Sequence, residues 1–269
     1  MSQTAIKSGS QILKSNKTEA MHRDSNGVAI FLTFLSTWCY RIYKKVARRL
    51  YNLRCSLIKF YSGTTQFFSW FIFWPIYTLL FKIKIHGREN LRGLKGPLIM
   101  ISNHSRFYDS FLYRIIVGLF SNLVPMRFMA VLKFKDPFMS MIKKTGLIHF
   151  VYSLFGVFIV EQGLGLNKNL KRAKDILRNN DVVAMFPEGR LNTSDEILMF
   201  RRGVSALALS NHTKVLPMHI DIKEGNVWKL RRGSIIVNIG KPHYLETHST
   251  YEELAEELRQ EVVALGKKG

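Results

Sequence analysis

Residues 98–101, Leu-Ile-Met-Ile, form an apolar run that stops abruptly at Ser102, Asn103 and His104. A run this short, partly β-branched and apolar at every position, predicts a buried strand, and the polar stop marks where the chain leaves the core. Ser105 is a suitable N-cap for a following helix with Phe107, Phe111, Leu112 and Ile115 as its apolar positions. His104 is then placed on the strand-to-helix turn and Asp109 one turn inside the helix.

Residues five apart in a regular helix point about 140° away from each other. His104 and Asp109 can therefore meet only if His104 lies outside the helix. In that arrangement Asp109 accepts a hydrogen bond from one imidazole nitrogen and fixes the tautomer, which leaves the other nitrogen to take a proton from a bound hydroxyl. This is two thirds of a serine-protease-like triad, with the nucleophile supplied by the substrate. Taken alone, an H-x4-D spacing arises often by chance and favours a structural reading in which His104 caps the helix and Asp109 solvates its first turn.

Residues 181–186, Asp-Val-Val-Ala-Met-Phe, predict a second buried strand, which ends in Pro187, Glu188, Gly189 and Arg190. NHxxxxD after one strand and FPEGR after another resemble blocks I and III of the glycerolipid acyltransferases, the 1-acylglycerol-3-phosphate acyltransferase family. Residues 156–160, Gly-Val-Phe-Ile-Val, resemble block II, and Val215, Leu216, Pro217 and Met218 resemble block IV. Lys133 resembles the lysine that the family carries between blocks I and II. The resemblance covers roughly residues 82–245, and four blocks in order are far more specific than any one motif.

The resemblance implies acyl transfer from a thioester, acyl-CoA or acyl-carrier protein, to the hydroxyl of lysophosphatidate, with no metal and no cofactor beyond the acyl donor. His104 is the implied base and Asp109 its orienting partner, while backbone N–H groups near the turn or Lys133 serve the oxyanion. Glu188 and Gly189 map onto the residues that bind the acceptor's glycerol and phosphate. Glu188 can accept from a glycerol hydroxyl, Gly189 lets the backbone approach a ligand, and Arg190 can grip a phosphate through two hydrogen bonds. Two positions depart from the pattern: Gln162 stands where block II usually ends in arginine, and Leu191 where block III usually has one. Both concern phosphate recognition, so a lysophospholipid with a larger head group, such as lysophosphatidylethanolamine, is the alternative acceptor.

The chain carries 40 Lys and Arg against 19 Asp and Glu, a net charge of +21. Such a surface meets polyanions, whether anionic lipid, an acidic protein or nucleic acid. Residues 41–59 contain seven basic residues and no acidic one. On a helix, Ile42, Val46, Leu50, Leu53, Leu57 and Phe60 fall in a stripe about 80° wide, opposite Arg41, Lys44, Lys45, Arg48 and Lys59. A basic amphipathic helix of this kind lies in an anionic headgroup layer, each cation contributing on the order of 1 kcal/mol. Residues 67–81 follow with eight aromatics in 15 positions and Pro75 inside. Trp and Tyr favour the membrane interface, and Pro75 should kink or break a helix.

These features predict a mobile polar tail over 1–27, membrane-associating helices over 28–81 that end in a half-inserted aromatic hairpin, and an α/β domain over 82–269. The expected placement is monotopic or hairpin-anchored, with the active site facing the cytoplasm. Within the third segment, strands near residues 82, 98, 127, 156, 181, 215 and 234 alternate with helices over 167–178 and 203–210 and a last helix capped by Thr250 with Glu253. The fold expected is a mixed sheet flanked by helices, with an N-terminal membrane-associated helical segment. Cys39 and Cys55 suggest a reducing compartment. His86, His149, His212, His219 and His243 lack the spacing of metal ligands. A non-catalytic basic protein that binds membrane or nucleic acid is the rival from another class; residues 67–81 and the lack of any nucleic-acid motif argue against nucleic acid as a partner.

Overall fold

Strand β2 (Leu98–Ser102) is flanked on both sides by parallel neighbours, β5 (Val182–Met185) and β6 (Lys214–Lys223). This is the environment that an all-apolar run needs. The computed structural model describes residues 3–106, 108–131, 146–160, 165–192, 194, 196–226, 231–247 and 249–267, with side chains from Trp38 onward except Cys39, Asn52 and Asn167. The remaining strands are β1 (Phe81–His86), β3 (Met126–Ala130), β4 (Phe158–Ile159) and β7 (Gly233–Ile239). They join one seven-stranded sheet in the order β1-β7-β6-β2-β5-β3-β4. Every pairing is parallel except β6 with β7.

Among the described residues the helices are α1 (Gln3–Leu80), α2 (Asp109–Val117), α3 (Leu147–Leu154), α4 (Leu166–Arg178), α5 (Gly203–Ser210) and α6 (Tyr251–Gly266). They cover both faces of the sheet, and alternation along β2 makes the two cores distinct. Leu98 and Met100 pack with Tyr77 of α1 and Leu112 and Ile116 of α2. Ile99 and Ile101 pack with Leu170 of α4, Leu207 of α5 and Leu258 of α6. The mixed sheet flanked by helices is thus the expected fold class. Thr250 caps α6 as its sequence predicts, with both hydrogen bonds of the capping box formed.

The chain divides into two compact units, Met1–Leu57 and Ile58–Gly269. Helix α1, Gln3–Leu80, takes in both the segment expected as a tail, 1–27, and most of the segment expected as membrane-associating, 28–81. Residues 3–27 contain no proline and are largely helix-permissive. Pro75 is carried inside the helix, where the Thr78 hydroxyl donates to the Trp74 carbonyl at 2.8 Å. Within the first unit, Ile42, Val46, Leu50, Leu53 and Leu57 are all exposed, as an uncovered apolar stripe should be. Lys59, in the second unit, departs from the expected lipid-facing set by pairing with Asp181.

Residues 58–80 belong to the α/β unit because polar side chains in an otherwise aromatic helix bond to its backbone. The buried Gln66 donates from Nε2 to the carbonyls of Met126 at 2.7 Å and Phe155 at 2.9 Å, and its Oε1 accepts from Met126 N–H at 3.0 Å. Gly156, at φ +78°, makes room for this clamp, since a Cβ there would lie 3.0 Å from Gln66 Nε2. Gln66→Ala leaves three backbone groups without their partner. The expected loss is about 3 kcal/mol of stability in chemical denaturation. A loss within about 0.5 kcal/mol, typical of a surface change, would show that the clamp does not hold the helix.

Candidate functional site

The register of β2 with β5 pairs Ile101 with Met185, so the residues three places beyond that pair, His104 and Glu188, are brought side by side. There His104 N–H donates to Glu188 Oε1 at 2.8 Å. On the other side of β2, the Asn103 side chain continues the ladder onto β6, donating to Ile220 carbonyl at 2.9 Å and accepting from Ile220 N–H at 2.8 Å. The His104 carbonyl accepts from Asn192 N–H at 2.8 Å. The backbone of His104 is thereby held twice by the connection after β5, at the carboxyl end of parallel strands where open α/β sheets bind ligands.

The imidazole of His104 stacks on Phe186, ring centroids 4.0 Å apart at 10°. Its Nδ1 lies 3.1 Å from Asp109 Oδ2. Asp109 is fully buried at the first position of α2, and the same oxygen accepts from Ser105 N–H at 2.7 Å and Arg106 N–H at 2.8 Å. The helix consequently starts at Asp109 rather than just after Ser105, because the carboxylate reaches back and folds the preceding residues into a turn. That turn is what puts His104 outside the helix. Phe107 lies outside the described residues.

Tyr77 was not singled out by its sequence context, yet its hydroxyl donates to Tyr108 carbonyl at 2.9 Å and braces this turn from α1. Burial, and then the charge of Asp109, push its pKa up, so it stays a donor. Its only signal in the sequence is a polar group within an aromatic run.

Glu188 also has a structural role that its sequence context did not indicate. Its buried carboxylate accepts from His104 N–H through one oxygen and from Leu198 N–H, at 3.1 Å, through the other. Each oxygen accepts one backbone N–H, so Glu188 ties the site together, and each keeps a second acceptor position. Gly189 sits at φ +67°, and a Cβ there would lie 2.4 Å from Arg201 Nε. The glycine is required by the left-handed turn and by a side chain of this chain. Arg190 is exposed just past the turn. The N–H groups of His104, Ser105 and Arg106 are likewise taken by carboxylates, which removes them as oxyanion donors. Lys133, Glu161 and Gln162 lie outside the described residues. The strand of block II is β4, paired with the far strand β3, whereas block IV lies in β6 beside the site.

A family model described as Acyltransferase matches residues 82–221, just over half of the chain. The chain belongs to the acyltransferase family. Acyltransferase relatives include the chloroplastic 1-acyl-sn-glycerol-3-phosphate acyltransferase LPAT1 of Arabidopsis thaliana, 26% identical over 198 residues, covering 68% of this chain and 49% of that protein. A 1-acyl-sn-glycerol-3-phosphate acyltransferase of Chlamydomonas reinhardtii is 25% identical over 190 residues, covering 68% and 53%. The chain thus spans about half the length of the curated relatives it matches. The crystal structure of PlsC, the 1-acyl-sn-glycerophosphate (LPA) acyltransferase from Thermotoga maritima, shares the fold, with a TM-score of 0.52 at 18% identity over 81% of this chain and 93% of that one.

Proposed function

We propose that this acyltransferase moves a fatty acyl group from acyl-CoA or acyl-carrier protein to lysophosphatidate, giving phosphatidate. The observation that carries the reading is the pair of His104 with buried Asp109 on the turn after β2, the His104 side chain remaining 19% exposed. Asp109 accepts the Nδ1 proton, which leaves Nε2 as the basic nitrogen. Nε2 takes the proton of the acceptor hydroxyl as that oxygen attacks the thioester carbonyl carbon. The C–S bond of the tetrahedral intermediate then breaks, and the thiolate leaves with the proton held on Nε2. An ester and a free thiol result, and the acyl donor is a substrate, so no cofactor enters. Relatives named as 1-acyl-sn-glycerol-3-phosphate acyltransferases favour lysophosphatidate as acceptor.

The protein meets its substrates on a membrane surface in this reading. Among the described residues no helix is long and apolar enough to cross a membrane. However, Phe68, Phe71, Ile72, Trp74, Ile76 and Leu79 of α1 are exposed, an aromatic and aliphatic surface suited to the interfacial layer. The basic stripe at 41–54 suits anionic lipid.

The test is an acceptor screen with purified protein and anionic vesicles, pairing lysophosphatidate and zwitterionic lysolipids with both acyl donors. Phosphatidate formation is expected, together with co-sedimentation of the protein with the vesicles in detergent-free buffer. No acylated product from any pair would overturn the enzymatic reading, and protein left in the salt-washed supernatant would overturn the membrane one.

A further inference from the structure

The turn that holds His104 carries a cation that the sheet leaves unused. Arg201 lies just before α5, its N–H donating to Pro187 carbonyl at 2.9 Å and its Nε to Glu188 carbonyl at 3.4 Å. Its side chain is therefore laid across the Gly189 turn, and the missing Cβ of Gly189 is what lets it pass. Two nearby arginines are neutralised: Arg106 by Glu224 at 2.9 Å and Arg202 by Glu252 at 2.8 Å. Arg201 is exposed and pairs with no carboxylate among the described residues. The residue whose carbonyl it touches is the one whose carboxylate holds the His104 backbone.

A guanidinium placed in this way is a preorganised fork for a phosphate, and a charged side chain with no acid partner has its binding strength available to a ligand. In the proposed acceptor, a phosphomonoester and the reacting hydroxyl sit on adjacent carbons of glycerol. We propose that Arg201 selects the acceptor head group by gripping its phosphomonoester next to exposed Arg190, while the neighbouring hydroxyl faces His104. This rests on the acyl-transfer reading above and adds a residue to it. A phosphodiester head group brings one charge fewer and a substituent on the oxygen that the fork would hold, so monoesters are preferred.

The probes are hexanoyl-lysophosphatidate and its phosphate-free counterpart hexanoylglycerol, titrated calorimetrically into the full chain, with turnover measured in parallel. Arg201→Ala is expected to weaken binding of the lysophosphatidate about 10- to 100-fold and to leave hexanoylglycerol unchanged. Arg201→Lys, a point charge without the fork, recovers part of that loss. In turnover the change falls on KM for lysophosphatidate, with kcat at saturation and KM for the acyl donor near wild type. Unchanged lysophosphatidate binding in Arg201→Ala would overturn the assignment, as would equal weakening of both probes, the mark of a merely structural role. A wild-type protein that binds lysophosphatidate through Arg201 but acylates no acceptor would defeat the acyl-transfer reading and uphold the phosphate subsite.

Discussion

His104→Ala is expected to lower kcat by about 10³-fold, the scale of a positioned general base, while leaving the fold and vesicle binding intact. The separation is possible because the sheet holds His104 through its backbone: its N–H and carbonyl bond to Glu188 and Asn192 whatever the side chain is. Asp109, left without the imidazole, still receives the N–H groups of Ser105 and Arg106 and so remains compensated in its buried place. The loss should be the same for every acceptor and both donors, since the proton is removed in each reaction. The measurement is steady-state kinetics alongside thermal unfolding and vesicle co-sedimentation. Wild-type turnover in the folded variant would remove His104 as the base.

Glu188→Ala is expected to have the largest effect on the site as a structure. It strips two backbone N–H groups, those of His104 and Leu198, of their acceptor in a buried setting, a loss of roughly 3 kcal/mol in chemical denaturation. Activity falls with it, because the connection after β2 is then tied to the one after β5 only through the Asn192 N–H to His104 carbonyl bond. The two roles considered for Glu188 differ in what they predict. A carboxylate that binds a glycerol hydroxyl would raise KM for the acceptor and leave stability alone, whereas a carboxylate that ties two connections together lowers stability and kcat for all acceptors. Glu188→Gln, which keeps one acceptor oxygen, should show about half of the stability loss. An unchanged unfolding midpoint with a raised acceptor KM would restore the binding role.

The strands and the pairing of His104 with Asp109 were legible because both rest on local rules. A four-residue apolar run ending in polar residues reads as a buried strand, and a spacing of five requires the histidine to lie outside the helix. The alternation that sorts Leu98 and Met100 from Ile99 and Ile101 needs only the period of a strand. The start of α2 was misplaced by the same locality. Ser105 has the composition of an N-cap, but the Asp109 carboxylate competes for the N–H groups of Ser105 and Arg106, and a buried charge with three donors outweighs one hydroxyl.

The N-terminal segment shows the opposite limit. Its aromatic richness read as a separate membrane hairpin, yet Gln66 and Tyr77 tie residues 58–80 to the α/β unit through backbone carbonyls some 30 to 90 positions away. A single polar side chain in an apolar run is an exposed residue or an anchor depending on what folds against it, and composition does not carry that information.

By itself the sequence determined the α/β class and the two strand ends that build the site, since both follow from side-chain periodicity, and a spacing of five set the condition under which His104 and Asp109 can meet. Only the tertiary structure decided that the Glu188 carboxylate accepts from the backbone of His104, that the Arg201 side chain lies across the Gly189 turn, and that α1 ends as part of the sheet's cover. Those three depend on which connections a parallel register sets side by side, and hydrogen bonds across 13 to 89 residues of chain leave no periodic trace in it.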